Sequence, residues 1–417
     1  MTVSIPFNRP HVAPEALSYL QQAMGSPRHS GDGPFTQRSQ RLLSGHLGGA
    51  DVLLTTSCTH ALEMAALLLD IGPGDEVIVP SFTFVSTANA FALRGAKIVF
   101  ADIRQDTLNL DETRLEGLVT PKTKAIVPVH YAGVGCEMDR ISRIADRHGV
   151  AVIEDNAHGL FGGYRDRPLG TFGQLATLSF HETKNVSCGE GGALVINDPR
   201  LIGRAEVIRE KGTNRSQFFR GEVDKYSWVD LGSSYLLSDL LAAVLAAQIE
   251  AAEETQARRE RIWQSYDREL ADWADAFDIR RPVVPGHCRQ PWHLYYLLMP
   301  SPLARTALIR HLQRRDVKAT FHYLPLHLSD YGRRCGGRPG DCPVTEEVSD
   351  RLVRLPIYPG MSETDLRRVT DACREFSLPR TARDRGTTGR PGHVVPLHPR
   401  RRAVTVTRDA LRHVKRA

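Results

Sequence analysis

Short apolar runs alternate with stretches of helical periodicity between about residues 50 and 200. Val52–Thr56, Glu76–Pro80 and Val150–Glu154 are three of these runs, and Thr59–Asp70 carries apolar residues at helical spacing. A strand that is apolar along its length is buried on both faces, and successive parallel strands need long, usually helical, connections. The alternation therefore predicts an α/β fold, with a mainly parallel sheet and helices on both of its faces.

The pattern changes after residue 237. Ser238–Leu270 predicts a long helix with one break, and the shorter elements after it indicate a smaller α+β domain. These elements are predicted strands over His293–Met299 and Lys318–Tyr323 and predicted helices over Pro302–Arg314, Glu346–Leu352 and Glu363–Phe376. We therefore predict a large α/β domain over 1–237, a linking helix with the small domain over 238–378, and a disordered basic tail over 379–417.

The formal net charge of +6 is distributed unevenly along the 417 residues. Residues 381–417 contain ten Lys and Arg against two Asp, whereas the rest of the chain has 44 basic and 46 acidic residues. The tail favours either an anionic partner such as nucleic acid or a solvated extension without a partner. We favour the extension and predict no nucleic-acid partner.

Other classes of protein are disfavoured by the sequence. No apolar run approaches the roughly 18 residues that span a bilayer, so no membrane segment is expected. The first residues lack the charged and apolar regions of a signal peptide, which predicts a cytoplasmic protein. The seven cysteines form no Cys-x-x-Cys pair, so we expect reduced thiols and no metal site.

Lysine is scarce in this chain, at eight of the 54 basic residues. A lysine that forms a Schiff base needs a shielded pocket with polar neighbours. Lys184 follows the predicted buried strand Ala176–Phe180 directly, and glycines at 189, 191 and 192 come soon after it. Because glycine allows close approach of the backbone, Lys184 is a candidate catalytic lysine. A solvated loop lysine is the alternative.

Two polar side chains follow the predicted strand Val150–Glu154. Asp155 and His158 lie at the carboxyl end of this strand, where ligands bind in open α/β sheets. An aspartate there can pair with a protonated pyridine nitrogen, although a helix N-cap is a common role for such a residue. His158 is a candidate ligand contact or a histidine satisfied within the core.

Two further segments follow predicted strands. Each can be interpreted as a ligand-binding segment or as one with a purely structural role. The helix start at Thr56–Leu62 offers the free N–H groups and dipole that bind phosphate, or it is simply capped by its hydroxyl groups. Phe82 and Phe84 follow Glu76–Pro80. A ring at this position could stack on a flat cofactor, or both rings could pack in the core.

Taken together, these segments resemble one family, the fold-type I, pyridoxal-phosphate-dependent sugar aminotransferases of the DegT/DnrJ/StrS group. The resemblance covers roughly residues 5–377, and its specific motifs are Ser179–Asn185 with the downstream Gly-Glu-Gly-Gly, and Glu154–Gly159. It implies the fold-type I architecture and pyridoxal 5'-phosphate as cofactor. It also implies a homodimer in which each active site is built from two chains.

The resemblance assigns roles to residues of this chain. Lys184 forms the Schiff base with the cofactor and moves protons, and Asp155 pairs with the pyridine nitrogen. The other expected cofactor contacts are His158 at the phenolic oxygen, Phe84 stacked on the ring, and Thr59, the His60 backbone and Ser179 at the phosphate. The expected substrate contacts are His322, Tyr323 and Arg215.

Segments 210–218, 224–226, 232–235 and 321–327 resemble more narrowly the subgroup that acts on dTDP-4-dehydro-6-deoxy-D-glucose. This implies transamination at C4 with glutamate as amino donor, giving a galacto or gluco product. A sugar 3-aminotransferase and a dehydratase on the same scaffold are alternatives, although dehydratase relatives replace the Schiff-base lysine with histidine. Many relatives place an Asn or Arg that reaches the second chain where this sequence has Leu236, so Ser234 and Tyr235 are candidates for that contact.

Overall fold

Helices and strands alternate along the chain around a seven-stranded sheet. The structure is a computed structural model that describes residues 4–378. The strands are β1 Asp51–Thr55, β2 Glu76–Pro80, β3 Lys97–Ala101, β4 Thr123–Ile126, β5 Ala151–Asp155, β6 Gly163–Tyr164, β7 Arg167–Pro168, β8 Leu175–Ser179, β9 Gly192–Ile196, β10 Cys288–Arg289, β11 Tyr295–Leu298 and β12 Leu352–Leu355. The helices are α1 Ala16–Gly25, α2 Pro34–His46, α3 Cys58–Leu68, α4 Val85–Ala92, α5 Glu112–Leu115, α6 Met138–His148, α7 Ile202–Arg209, α8 Arg215–Phe219, α9 Asp239–Glu250, α10 Ala252–Glu269, α11 Ala271–Ala276, α12 Pro302–Gln313, α13 Asp330–Arg334, α14 Pro343–Arg351 and α15 Glu363–Arg374.

The large sheet has the order β1–β9–β8–β5–β4–β2–β3. Strand β9 is antiparallel to both of its neighbours, β1 and β8, and the other neighbouring pairs are parallel. Leu194 and Val195, adjacent on β9, belong to different hydrophobic clusters, one with Leu62 of α3 and the other with Leu245 of α9. Both faces of the sheet are therefore covered by helices, and the predicted α/β class with a mainly parallel sheet is confirmed.

Two helices begin directly after strands of this sheet, at its functional edge. Ser57 caps α3, because its side chain accepts a hydrogen bond from the N–H of His60. Helix α4 begins at Val85, shortly after β2 ends at Pro80. Strands β1, β2, β5 and β8 run in the same direction, so the N-termini of α3 and α4 lie at the edge where Asp155 ends β5.

The C-terminal part is built on the antiparallel pair β11–β12. Its core joins Tyr266 of α10, Leu308 of α12 and Val369 of α15, all fully buried. Ile5 near the N-terminus belongs to the same cluster and pairs with Val317. The division of the chain at residue 237 stays a prediction, and the predicted tail 379–417 lies outside the described residues.

Several predicted elements differ from the structure. The predicted strand Lys318–Tyr323 is wrong, because Thr320 makes a single bridge with Arg354 and the chain then leaves the sheet. The predicted helix Glu346–Leu352 is instead α14, and Leu352 opens β12, a strand that the sequence interpretation missed. Helices α1 and α2 were also not anticipated. The predicted break in Ser238–Leu270 is confirmed between α9 and α10.

Among α1 to α15, no helix has the length and apolar character that a membrane crossing requires. Within residues 4–378, no three His, Cys, Asp or Glu side chains are grouped as metal ligands would be.

Candidate active site

A cavity of about 660 Å³ opens at the carboxyl ends of the strands. Its walls come from both parts of the chain, which places residues far apart in sequence around one space. The lining includes Ser57, Thr59, Thr83, Phe84, Asp155, His158, Ser179 and Lys184 from the first part, and His293, His322, Tyr323 and Arg354 from the second. This is the position at which open α/β sheets bind their ligands.

Asp155 ends β5 with its carboxylate in the cavity wall, 5% exposed. Thr87 on α4 donates to its Oδ2 at 2.7 Å, and the N–H of Ala157 donates to its Oδ1 at 3.2 Å. Thr83 donates in turn to the Thr87 hydroxyl at 2.8 Å, since that oxygen's own proton is used on Asp155. The carboxylate is therefore held in one orientation and keeps acceptor positions for a further donor.

Lys184 lies in the loop between β8 and β9 and lines the same cavity. Its backbone N–H donates to the carbonyl oxygen of His181 at 2.9 Å. Burial lowers the pKa of Lys184 to about 8, and the charges of Cys58 and Asp155 oppose that shift. A lysine with a lowered pKa supplies a neutral, nucleophilic amine near physiological pH.

Three histidines surround the side of the cavity that faces Lys184. The ring centroids of His158 and His293 are 4.4 Å apart, and those of His158 and His322 are 6.1 Å apart with nearly parallel planes. Burial lowers the pKa of each ring well below its usual value, and the charges of Lys184 and Arg354 act in the same direction. All three imidazoles are therefore neutral at pH 7.

His158 carries the clearest sign of a missing partner at this site. Its Nδ1 atom is buried and makes no hydrogen bond within the described residues. Leaving a buried polar atom unpaired costs about 1–3 kcal/mol, so the arrangement favours a ligand atom that bonds there. The phenolic oxygen of pyridoxal phosphate fits this position, as the sequence resemblance implies for His158.

The N-terminus of α3 forms an anion site at the same edge. A helix leaves its first N–H groups without intrahelical acceptors and carries a partial positive charge there. The Thr59 hydroxyl donates to Ser86 Oγ, 2.8 Å away at the start of α4, which brings two hydroxyl groups together. A Cβ at Gly192 would come 2.3 Å from the N atom of Cys58, so this close packing of β9 against the helix start requires glycine.

Phe84 stands at the cavity wall with 57% of its surface exposed. It precedes α4, and its ring centroid is 6.5 Å from that of Tyr323. Phe82, by contrast, is buried and packs against Tyr131. The two aromatic residues, whose roles the sequence left open, therefore differ. Phe82 belongs to the core, and Phe84 offers a ring face to a flat ligand.

The structure brings eight of the ten predicted site residues into this cavity and leaves two outside it. The eight are Thr59, Phe84, Asp155, His158, Ser179, Lys184, His322 and Tyr323. His60 does not line the cavity, and its N–H donates to Ser57 Oγ at 3.1 Å. The backbone donor expected of His60 is therefore used for capping, which leaves the amides before it to face an anion.

Arg215 lines a second cavity, of about 530 Å³, together with Lys211, Ser234 and Leu236. Its Nη1 atom donates to Glu210 Oε1 at 2.7 Å. Tyr235 does not line this cavity, because its ring is buried in a hydrophobic cluster of the same chain. Ser234 therefore remains the candidate for a contact with a second chain.

Several residues of the main cavity were missed by the sequence interpretation. Thr83 and Thr87 could have been noticed, because hydroxyl groups at a helix start after a strand are a local signal. His293 donates from Nδ1 to Asn185 Oδ1 at 2.8 Å, next to Lys184, and no sequence motif marks that pairing. Arg354 and Arg259 had no signal either, because arginine is common throughout the chain.

The cavity thus combines a fixed carboxylate, a lysine of lowered pKa, an unpaired imidazole nitrogen, an exposed aromatic face and a helix N-terminus. These groups match the pyridine nitrogen, aldehyde, phenolic oxygen, ring face and phosphate of pyridoxal phosphate. The residues present therefore fit that cofactor.

Comparison with known proteins gives consistent matches. The sequence profile of the DegT/DnrJ/EryC1/StrS aminotransferase family matches residues 10–374. The chain is 33% identical over 380 residues to the spore coat polysaccharide biosynthesis protein SpsC of Bacillus subtilis, which covers 89% of this chain and 97% of SpsC.

Two solved structures extend this similarity to the fold. The aminotransferase TlmJ from Streptoalloteichus hindustanus is 30% identical, with a TM-score of 0.81 over 89% of this chain and 98% of TlmJ. DesV of S. venezuelae is also 30% identical, with a TM-score of 0.81 over 90% of this chain and 98% of DesV.

Proposed function

The chain belongs to the DegT/DnrJ/EryC1/StrS aminotransferase family, and on that premise we propose that it transfers an amino group from glutamate to C4 of dTDP-4-dehydro-6-deoxy-D-glucose. Membership makes the protein a pyridoxal-phosphate-dependent sugar aminotransferase. The nucleotide, the C4 position and the donor are the proposed refinements. Both a galacto and a gluco product are compatible with the proposal.

The observation that carries the proposal is the convergence of Lys184, Asp155 and His158 on one cavity beside the N-terminus of α3. Pyridoxal phosphate, when bound, supplies an aldehyde that condenses with amines and a protonated ring that delocalises negative charge. Asp155, fixed by Thr87, would keep the ring nitrogen protonated. Thr59, Ser179 and the first amides of α3 would hold the phosphate.

Lys184 performs the proton transfers in this proposal. Its Nζ atom, when displaced from the cofactor, is a free amine beside the reacting carbon, and its lowered pKa lets it accept and return a proton near neutral pH. Burial lowers the pKa of His158, His293 and His322, so these rings add no positive charge beside the amine.

His322 and Tyr323, which line the same cavity, support a sugar subsite there. Tyr131 and His322 Nδ1 are 3.0 Å apart and hydrogen-bonded, which fixes the imidazole ring. Tyr323 packs against Phe82 and faces the same space. Aromatic and imidazole groups of this kind suit the apolar faces and hydroxyl groups of a hexose.

We further propose a homodimer, which would complete each site with residues of the second chain. The segment 218–231 exposes large apolar side chains: Phe218, Phe219, Tyr226, Trp228, Val229 and Leu231. Trp228 alone is 77% exposed. An exposed apolar cluster of this size favours a protein interface, and the second cavity with Arg215 and Ser234 lies beside this segment.

The test is the reaction itself, with the purified protein, pyridoxal phosphate, glutamate and dTDP-4-dehydro-6-deoxy-D-glucose. Mass spectrometry should detect an amino sugar nucleotide together with 2-oxoglutarate. NMR should place nitrogen on C4, and the coupling between the protons on C3 and C4 should assign the epimer. Nitrogen on C3, or turnover only with a different nucleotide sugar, would contradict the proposal. Light scattering that finds an active monomer would contradict the dimer.

A further inference from the structure

Arg354 is a cation in the wall of the active-site cavity that the proposed roles do not use. It lies on β12, where its backbone pairs with Tyr296 on one side and with Thr320 on the other. The backbone N–H of Arg354 donates to the Thr320 carbonyl oxygen at 2.7 Å. Because both edges of the strand are engaged at this residue, the position of the side chain relative to the cavity is well fixed.

The guanidinium group of Arg354 has few protein partners. Its Nη2 atom donates to the carbonyl oxygen of Phe321 at 3.3 Å, and the group lies over the ring of Phe7, 4.7 Å from the centroid. Its Nε atom is buried and makes no hydrogen bond within residues 4–378. Stacking uses the face of the guanidinium plane and leaves in-plane N–H groups available to a ligand.

No carboxylate of the cavity neutralises this charge. The acidic residues in the lining are Asp155, held by Thr87, and Glu190, whose side chain is largely exposed near His181. Among the described residues, Arg354 forms no ion pair. Arg354 is partly buried, and a cation withdrawn from water is costly unless a partner of opposite charge is bound. Burial lowers the pKa of Arg354.

A second arginine in the same wall, Arg259, has a structural role that differs from that of Arg354. Arg259 donates from Nε to the carbonyl oxygen of Trp292 at 3.0 Å and from Nη2 to that of His293. Its donors fix the backbone next to the cavity, which is a structural role. Arg354 has a buried donor that no protein acceptor satisfies, so its unmet requirement points to a ligand.

We propose that Arg354 binds the α-carboxylate of the amino-acid donor. The proposal rests on the proposed function and names the part of the donor that this residue recognises. An in-plane pair of N–H donors matches a carboxylate in geometry and charge.

Position favours this carboxylate over the diphosphate of the sugar nucleotide. Arg354 lines the same cavity as Lys184, and its Nη2 atom donates to the carbonyl oxygen of Phe321. Phe321 precedes His322, whose ring centroid is 6.1 Å from that of His158. The α-carboxylate is attached to the carbon that bears the transferred nitrogen. A diphosphate is separated from C4 of its hexose by the sugar ring, which places it farther from Lys184.

The experiment compares loss of the guanidinium with loss of the carboxylate. The holoenzyme and its Arg354→Gln and Arg354→Lys variants are mixed with L-glutamate or with 4-aminobutyrate, which is glutamate without its α-carboxylate. The change in the visible absorbance of the cofactor reports the first half-reaction without any sugar. Binding of α-methyl-L-glutamate, which has no α-hydrogen and cannot complete the half-reaction, is measured in parallel. Arg367→Gln, at an exposed arginine of α15, is the matched control.

We expect Arg354→Gln to weaken binding of α-methyl-L-glutamate by about 10- to 100-fold, as for loss of a charge-assisted hydrogen bond. Its reaction with 4-aminobutyrate should be unchanged. This amine lacks the α-carboxylate, so it has no group that the Arg354 guanidinium would bind. Arg354→Lys should retain part of the affinity, and Arg367→Gln should match the wild type. An unchanged response to 4-aminobutyrate also shows that the variant is folded.

Four results would overturn the inference. Equal losses with both amines would indicate general damage to the site. Unchanged glutamate binding in Arg354→Gln, in an enzyme whose wild type reacts with glutamate, would overturn the inference while leaving the proposed function intact. A loss confined to the second half-reaction, measured with the keto sugar, would assign Arg354 to the diphosphate. A wild type that does not respond to glutamate would contradict the proposed function and the inference together.

Discussion

Two adjacent carboxylates at the end of β5 have opposite surroundings. Glu154 is fully buried and accepts four hydrogen bonds, from His130 Nε2 at 2.9 Å and from the N–H groups of Gly170, Phe172 and Gly173. Asp155, one residue later, faces the cavity and accepts two, from Thr87 and the Ala157 amide. Successive side chains of a strand point to opposite faces, so one step along the chain separates the two environments.

The difference teaches how to distinguish a structural polar group from a functional one. The region around Glu154 is satisfied: Cys136 donates its N–H to His130 Nδ1, so the proton of that imidazole is on Nε2 and is donated to Glu154. The cavity region has an unpaired His158 Nδ1, an unpaired Arg354 Nε and a lysine of lowered pKa. A satisfied network stabilises the fold, whereas unmet donors and acceptors prepare a site for ligands.

The largest expected effect is that of Lys184→Ala. Turnover should fall by at least about 1,000-fold, because the proton-transfer group is lost. Borohydride reduction of the wild-type holoenzyme followed by peptide mass spectrometry should find the cofactor on Lys184. Lys318→Ala, at an exposed lysine, is the control and should keep full activity. Substantial turnover by Lys184→Ala would contradict the assignment.

Asp155→Asn should reduce kcat by about 100- to 1,000-fold, a range comparable to the loss of one preorganised electrostatic contact. The change keeps the shape of the side chain and removes its charge, so the ring nitrogen would no longer be held protonated. Cofactor should still bind, which absorbance spectra and a cofactor assay would verify. An active Asp155→Asn enzyme would remove the residue from the mechanism.

Glu154→Gln should have the reverse effect, on stability rather than on chemistry. The glutamine NH₂ group would face N–H groups that now donate to a carboxylate oxygen, so we expect a loss of about 2–3 kcal/mol in the free energy of unfolding. Denaturant unfolding measures this loss, and kcat per folded, cofactor-loaded enzyme should stay near the wild-type value. A strong fall in kcat without a change in stability would contradict the assignment of Glu154 to structure and of Asp155 to function.

Lys184→Met should stabilise the cofactor-free protein by about 1–3 kcal/mol at pH 7. The folded-state pKa of Lys184, about 8, is below its usual value of 10.5, so the buried charge costs stability while both the folded and the unfolded state are protonated. The gain should be full below pH 8, decline as pH rises from 8, and vanish above pH 10.5. Thermal unfolding across this range tests the sign; a gain that grows with pH would refute it.

The smallest expected effect is that of His158→Gln. A glutamine amide can supply a hydrogen bond where His158 Nδ1 lacks a partner in the protein, so kcat should remain within about tenfold of the wild type. His158→Ala should lower activity further and shift the visible absorbance of the bound cofactor. A Gln variant as impaired as the Ala variant would show that the imidazole itself is required.

Much of the fold could be predicted because its signals are local. Glu76–Pro80 was predicted with the bounds that the structure gives it, since it is an apolar run with clear breaks. Lys318–Tyr323 failed because its backbone is bridged at Thr320 by a distant strand and then diverted toward the cavity. Strand β12 was missed because it follows α14 without a break in the sequence pattern.

The site residues also fall into those that the sequence could predict and those that it could not. Lys184, Asp155 and the start of α3 could be found because each directly follows a strand, where the sheet edge gathers ligand-binding groups. His293 and Arg354 could not, because their approach to Lys184 depends on how the C-terminal part of the chain meets the sheet. The phosphate contact predicted for the His60 backbone stays a prediction, and in the structure that N–H donates to Ser57 Oγ.

The sequence by itself determined the α/β class, the candidate lysine and the carboxylate that follows β5, because hydrophobic periodicity and strand ends are properties of short segments. The tertiary structure alone decided which polar groups are satisfied. Residue type alone does not show that Glu154 is satisfied within the protein and that Asp155 faces the cavity. The same holds for Arg259, which is satisfied, and Arg354, which is not. Hydrogen-bond satisfaction depends on partners that are distant in sequence, and those partners meet only when the chain is folded.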